Sequence, residues 1–181
     1  MAEPSLYQRV MGDRYAHLAP ALRRFHRLAG RHVLHGTVET DPPASRLAAL
    51  LARGLGSPLR ATAGAIRFEL DADPFVETWT RHFPARTMSS RLRLEGRRLV
   101  ERLGAARLAF TLDEIDGRLL MRLESLRFLG IPCPAWLRPR LVAEETGAGD
   151  QLCFRIEAAV PGLGRVVGYR GHLVVPDETA A

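Results

Sequence analysis

From Ile66 onward the chain alternates apolar and polar residues in short runs, and turn-forming Gly, Pro or Asp residues separate most of them. A period of two is the mark of a β-strand with one face buried. Ile66, Phe68 and Leu70 alternate with Arg67, Glu69 and Asp71, and Met88, Ser90, Leu92 and Leu94 with Ser89, Arg91 and Arg93. The runs Phe75 to Phe83, Leu99 to Leu103, Leu108 to Leu112, Leu119 to Leu123, Leu141 to Glu145, Leu152 to Val160 and Leu163 to Val175 read as further strands. Asp116-Gly117 is the clearest hairpin signal, because its short turn favours positive φ. About nine short strands with tight connections specify an antiparallel sheet, and so wide a sheet twists too far to stay flat. The expected fold class is α+β: a strongly curved antiparallel sheet, closed or partly closed as a barrel or folded into a sandwich, with helices over one end or face.

The helices come from the first third of the chain. Leu6, Val10 and Met11, then Leu18, Leu22, Phe25 and Leu28, recur at helical spacing. They predict an N-terminal helical segment over residues 4–29, divided at Gly12 and Pro20. Residues 31–40 read as a strand with His32, Leu34, Gly36 and Val38 on one face. Ser45 is a good N-cap for one short inserted helix, amphipathic through Leu47, Leu50, Leu51 and Leu55 and running to about Gly54. Residues 1–181 are expected to form a single domain, with the sheet over 31–175 and a loose tail over 176–181.

Charge excludes less than it first suggests. The net charge is +6, yet all 26 basic residues are arginine, spread through the chain and interleaved with Asp and Glu. That dispersion argues against a nucleic-acid partner, while a positive surface still suits an anionic membrane or partner. Cys133 and Cys153 form no metal or redox spacing, and their apolar neighbours suggest buried free thiols. The histidines lack ligand spacing, so neither a metal nor a cofactor is expected. There is no signal-peptide core and no transmembrane run. A cytoplasmic location is the plain expectation, with membrane association left open.

Two stretches carry the functional candidates. In Phe75 to Phe83, alternation puts Phe75, Glu77, Trp79, Arg81 and Phe83 on one face. Glu77 and Arg81 lie about 13 Å apart along such a strand, too far for a direct pair, so each needs a partner across the sheet or a ligand. If the face points inward, it resembles a small-molecule site with polar anchors among aromatics; it could equally be exposed, or buried as structure alone. Phe128 to Pro139 is apolar and broken by Pro132, Pro134 and Pro139, which cannot continue a ladder. It could be a lid with Ile131 and Trp136 turned toward a ligand, a core plug, or a patch that docks on a membrane or another domain. Tyr169, Gly171 and Leu173 share a face of the last strand, where Gly168 and Gly171 allow a bend or a close backbone approach.

Four pieces in order carry a family resemblance: Leu6 to Gly12, Glu77 to Phe83, Leu129 to Leu137 with Pro139, and Tyr169 to Leu173. Together they resemble the bacterial family catalogued as domain of unknown function 4166. The resemblance implies a domain that occurs alone or joined to short-chain-dehydrogenase-like or saccharopine-dehydrogenase-like modules. It brings no activity, ligand or catalytic residue. The residues favour a non-catalytic module that binds an apolar small molecule or lipid in the sheet's concavity, lined by Glu77, Trp79, Arg81, Trp136 and Tyr169. One alternative is an enzyme using Glu77 and Arg81 on a carbonyl-containing apolar substrate. Another is a docking or regulatory domain for a separate oxidoreductase.

Overall fold

A computed structural model describes residues 3–176; the tail expected over 176–181 lies almost wholly outside the described residues. The chain begins with helix α1 (Leu6–Met11), a 3-10 turn over Gly12–His17 and helix α2 (Pro20–Phe25). Ser5 caps α1, its hydroxyl accepting from the Gln8 N–H while the Gln8 side chain accepts from the Ser5 N–H. Strand β1 (Gly30–Thr40) leads into helix α3 (Arg46–Leu55), and β2 (Thr62–Ala72), β3 (Val76–Phe83), β4 (Arg86–Glu95), β5 (Arg98–Leu103), β6 (Ala106–Ile115) and β7 (Arg118–Phe128) follow as a meander. A two-residue β8 (Ile131–Pro132) and a 3-10 turn (Ala135–Leu137) precede β9 (Arg140–Ala148), β10 (Gln151–Val160) and β11 (Gly164–Val174).

The sheet closes. Ten strands form an antiparallel ring, the nine expected from Ile66 onward and the one expected over residues 31–40, with β8 attached to β7 beside it. β6 pairs with β7 along its whole length, and β7 meets β9 through Leu119–Glu145 and Leu120–Glu144. Asp116 and Gly117 both take positive φ, 53° and 80°, as the hairpin reading requires. β1 and β11 approach closely at two glycines. A Cβ on Gly36 would sit 1.8 Å from the His172 carbonyl oxygen, and one on Gly171 would sit 2.0 Å from that of Thr37. The close approach expected at Gly171 is therefore present, and Gly36 is its counterpart.

The two ends of the barrel are built differently. The N-terminal helices cover one: Ala19 N–H donates to the Gly117 carbonyl, and Arg14 pairs with Asp113. Leu6, Tyr7, Leu22 and Phe25 are buried there against Trp79 and Phe68. The other end carries α3 and the proline segment. Arg86 donates to the Gly56 carbonyl, Ala105 N–H to that of Gly54, and Leu129 N–H to that of Ala105. α3 ends at Leu55, one residue past the expected end near Gly54, and Gly56 caps it at φ 74°, the left-handed conformation that supplies the closing turn.

Phe75 departs from the expected face. It is half-exposed and sits before β3, under the guanidinium of Arg9. The cause is local: the Asp73 carboxylate accepts from the backbone N–H of both Phe75 and Val76, which holds Phe75 in the turn.

Candidate functional site

Strand β3 is buried at every second residue, and the inward set is Glu77, Trp79, Arg81 and Phe83. Interior charge needs partners, and β3 finds them in two ways. Arg81 reaches across the sheet: its Nη1 donates to Ser90 Oγ at 3.1 Å and its Nη2 lies 4.0 Å from Glu101 Oε1. It also lies over the Trp79 ring, 5.0 Å from the centroid. Glu77 is bonded within its own strand, accepting from Trp79 Nε1 at 2.8 Å. Burial is the largest influence on the Glu77 carboxyl and pushes its pKa up to about 7, with Glu145 and Asp73 adding to it. His26 and the Trp79 hydrogen bond act in the opposite direction.

A second buried pair lies beside it. His26 Nε2 and Glu145 Oε2 are 2.7 Å apart, and the imidazole stacks on Tyr7 with centroids 3.7 Å apart. Tyr7 Oη and His26 Nδ1 have no hydrogen-bond partner among the described residues. Burial holds the Tyr7 phenol well above its ordinary pKa, and the Tyr169 phenol is raised for the same reason. Charges on Arg81, Glu101 and Glu145 all act on Tyr169, which puts its ring in the same neighbourhood.

Above this layer the barrel is hollow. A cavity of about 470 Å³ runs toward the end that carries α3 and the proline segment. Its walls are almost wholly hydrocarbon, including Leu92, Leu108, Phe110, Met121, Ile156 and Val167, while Arg81, Glu101, Glu145 and Tyr169 supply its polar groups. Leu51 and Leu55 of α3 face Ile131, Pro134 and Leu137 at the mouth. Apolar walls closing on a few polar groups make a small-molecule site, and the arrangement can hold an elongated apolar molecule with a hydrogen-bonding end.

Of the residues expected from sequence, Trp79, Arg81 and Tyr169 line this cavity. Glu77 is inside the barrel but outside the lining, on the same face as Trp79. Trp136 is the departure: it is exposed and does not line the cavity. In the 3-10 turn, residues three apart share a face, so Pro134 and Leu137 turn inward and Trp136 turns out. Cys133 and Cys153 are free but half-exposed, not buried; Cys133 lies at the mouth and Cys153 on an open groove of the outer wall. Glu101 and Glu145 were not singled out from the sequence. Alternation could have found both, since Glu101 falls on the face of Leu99 and Leu103, and Glu145 on that of Leu141 and Ala143. A carboxylate in an apolar register is itself a signal.

A family model described as Domain of unknown function (DUF4166) matches residues 18–173. None of the curated proteins matches the chain. Among solved structures, the crystal structure of Rv2717c from M. tuberculosis is similar at a TM-score of 0.49 and 15% sequence identity, over 88% of this chain and 99% of that chain.

Proposed function

The chain belongs to the DUF4166 family, whose name assigns no activity, and we propose that it binds an apolar small molecule or lipid inside its barrel. The observation that carries this is the hollow itself: a closed barrel that keeps about 470 Å³ open behind hydrocarbon walls. That volume lies within the roughly 300–1,000 Å³ of small-molecule sites. Proteins otherwise pack their interiors to crystal density, so an apolar space of this size leaves its lining without contacts until a guest fills it.

The polar end narrows the guest. Among the described residues Arg81 is the one cation of the lining, and it already faces Glu101, while Glu145 adds a second carboxylate. An anionic head would bring further negative charge to a desolvated site. A neutral hydroxyl, carbonyl or ester can accept from Arg81 and meet the Tyr169 hydroxyl. Native mass spectrometry after mild extraction, with dye displacement by long-chain alcohols, esters and fatty acids, tests this. Neutral-headed compounds should displace best; a protein that carries nothing and binds none of them contradicts the proposal.

A second reading is favoured by the Glu77 carboxyl held near neutrality, the range of a useful acid or base. It makes Glu77, with Arg81, the acid–base machinery for a carbonyl-containing apolar substrate. Glu77 lies outside the cavity lining, so a bound substrate would have to displace Trp79 to reach it. Turnover lost in Glu77→Gln with dye binding intact would support this reading over simple binding.

A further inference from the structure

We propose that the mouth of the barrel docks on the surface of an anionic lipid bilayer, from which the cavity is filled; this rests on the reading of the cavity as a site for an apolar guest. Leu47, Leu50, Leu129, Ile131 and Trp136 are 61, 66, 73, 70 and 77% exposed, and they are the five most exposed of the chain's large apolar residues among the described residues. All five lie on α3 or the proline segment, which together form the mouth. Hydrogen bonds through Ala105 join the two: its N–H donates to Gly54 and its carbonyl accepts from Leu129. Large apolar side chains gathered in one place on a surface mark an interaction site. Trp is the residue most suited to a membrane interface, where its ring is buried and its N–H stays wet.

Charge selects the partner. Residues 42–61 and 125–142, the two segments that carry these side chains, contain Arg46, Arg53, Arg60, Arg127, Arg138 and Arg140 and no Asp or Glu. Among the described residues none of these arginines makes an ion pair, although most other arginines of the barrel wall do. Acidic residues collect at the opposite end, with Asp73, Glu95, Asp113, Glu114, Asp116 and Asp150 in or beside its turns. Arginines stand beside those acids, Arg14, Arg97, Arg98 and Arg118 among them, so the two mouth segments differ in being basic with no acidic residue of their own, where the barrel is apolar and open. Unpaired arginine ringing exposed Leu, Ile and Trp complements phosphate headgroups over an acyl layer.

Flotation of the whole chain with vesicles tests this, using phosphatidylcholine alone and equal parts phosphatidylcholine and phosphatidylglycerol. Binding to the mixed vesicles is expected, on the order of tenfold tighter than to the neutral ones and weakened by salt. Trp136 emission should shift to the blue on binding; Trp79 is already buried, so the shift reports on the mouth. Leu50→Ser with Leu129→Ser and Trp136→Ser, none of them in the cavity lining, should abolish flotation, and Arg138→Gln with Arg140→Gln should weaken it by about tenfold. These positions are exposed, and dye binding in the absence of vesicles should survive in both variants. No flotation with either vesicle, or equal binding to both, overturns the proposal. A dimer, or a complex with another protein, that the triple variant abolishes while vesicle binding is absent also overturns it. Dye binding without flotation defeats the docking alone; flotation without dye binding defeats the cavity reading alone.

Discussion

Trp79 Nε1 lies 2.8 Å from Glu77 Oε2, so the interior carboxyl of β3 is held by its neighbour two residues along the same face, and Arg81 is left to Ser90 and Glu101. One strand thus carries two separate polar systems, one at the cavity floor and one behind it.

The Glu77 carboxyl should make stability depend on pH. Its folded pKa, about 7, exceeds the ordinary 4.5, so between those values the folded state binds more protons than the unfolded chain. Stability then falls as pH rises through this window, by about 3 kcal/mol in all. Below pH 4.5 the contribution is complete; above about 7 it is gone. Glu77→Gln mimics the protonated form and can still accept from Trp79. Urea unfolding at a series of pH values should show a flatter profile for this variant and a gain of up to about 3 kcal/mol at pH 8. Equal slopes in the two proteins would contradict the assignment.

His26 and Glu145 should be strongly interdependent. Removing the imidazole in His26→Ala strands a buried carboxyl, at a cost of about 3 kcal/mol or more. Glu145→Gln, which can keep the hydrogen bond, should lose clearly less. Urea midpoints compare them, and similar losses from both variants would argue against a coupled pair.

The β1–β11 seam should tolerate no side chain at Gly36 or at Gly171. Gly36→Ala and Gly171→Ala each drive a methyl group into the backbone of the facing strand, and each should prevent folding or cost about 4 kcal/mol or more. Gly130, with open space around it at φ 81°, is the control, and Ala there should cost about 1 kcal/mol. Thermal melts report the difference.

The period-two pattern made the curved sheet legible and put Glu77, Trp79 and Arg81 on one face of their strand without telling whether that face points inward, and Ser45 with the spacing of Leu47, Leu50, Leu51 and Leu55 did the same for the inserted helix. Helical spacing did the same for the segment that plugs the barrel. What could not be read was any relation that depends on closure. Glu101 meets Arg81, and Glu145 meets His26, only because β5 and β9 are brought into the ring in a particular register. Their positions in an apolar alternation were visible, but their partners were not. Phe75 and Trp136 were misplaced for local reasons, an Asp73 turn and a 3-10 turn, each of which rotates one side chain out of the expected face. Neither turn breaks the alternation or composition by which the segments were recognised.

Filling the hollow tests the central claim most directly. Ala143 lies in the cavity wall two residues before Glu145, and Ala143→Phe projects a ring into the space without changing the outer surface. A displaceable apolar dye, titrated against the native chain and this variant with circular dichroism to verify the fold, gives the answer. The account predicts saturable binding to the native chain, displaced by neutral-headed lipid, and binding at least about tenfold weaker in a folded Ala143→Phe. Undiminished binding in the filled variant, or no binding in the native chain, would contradict it.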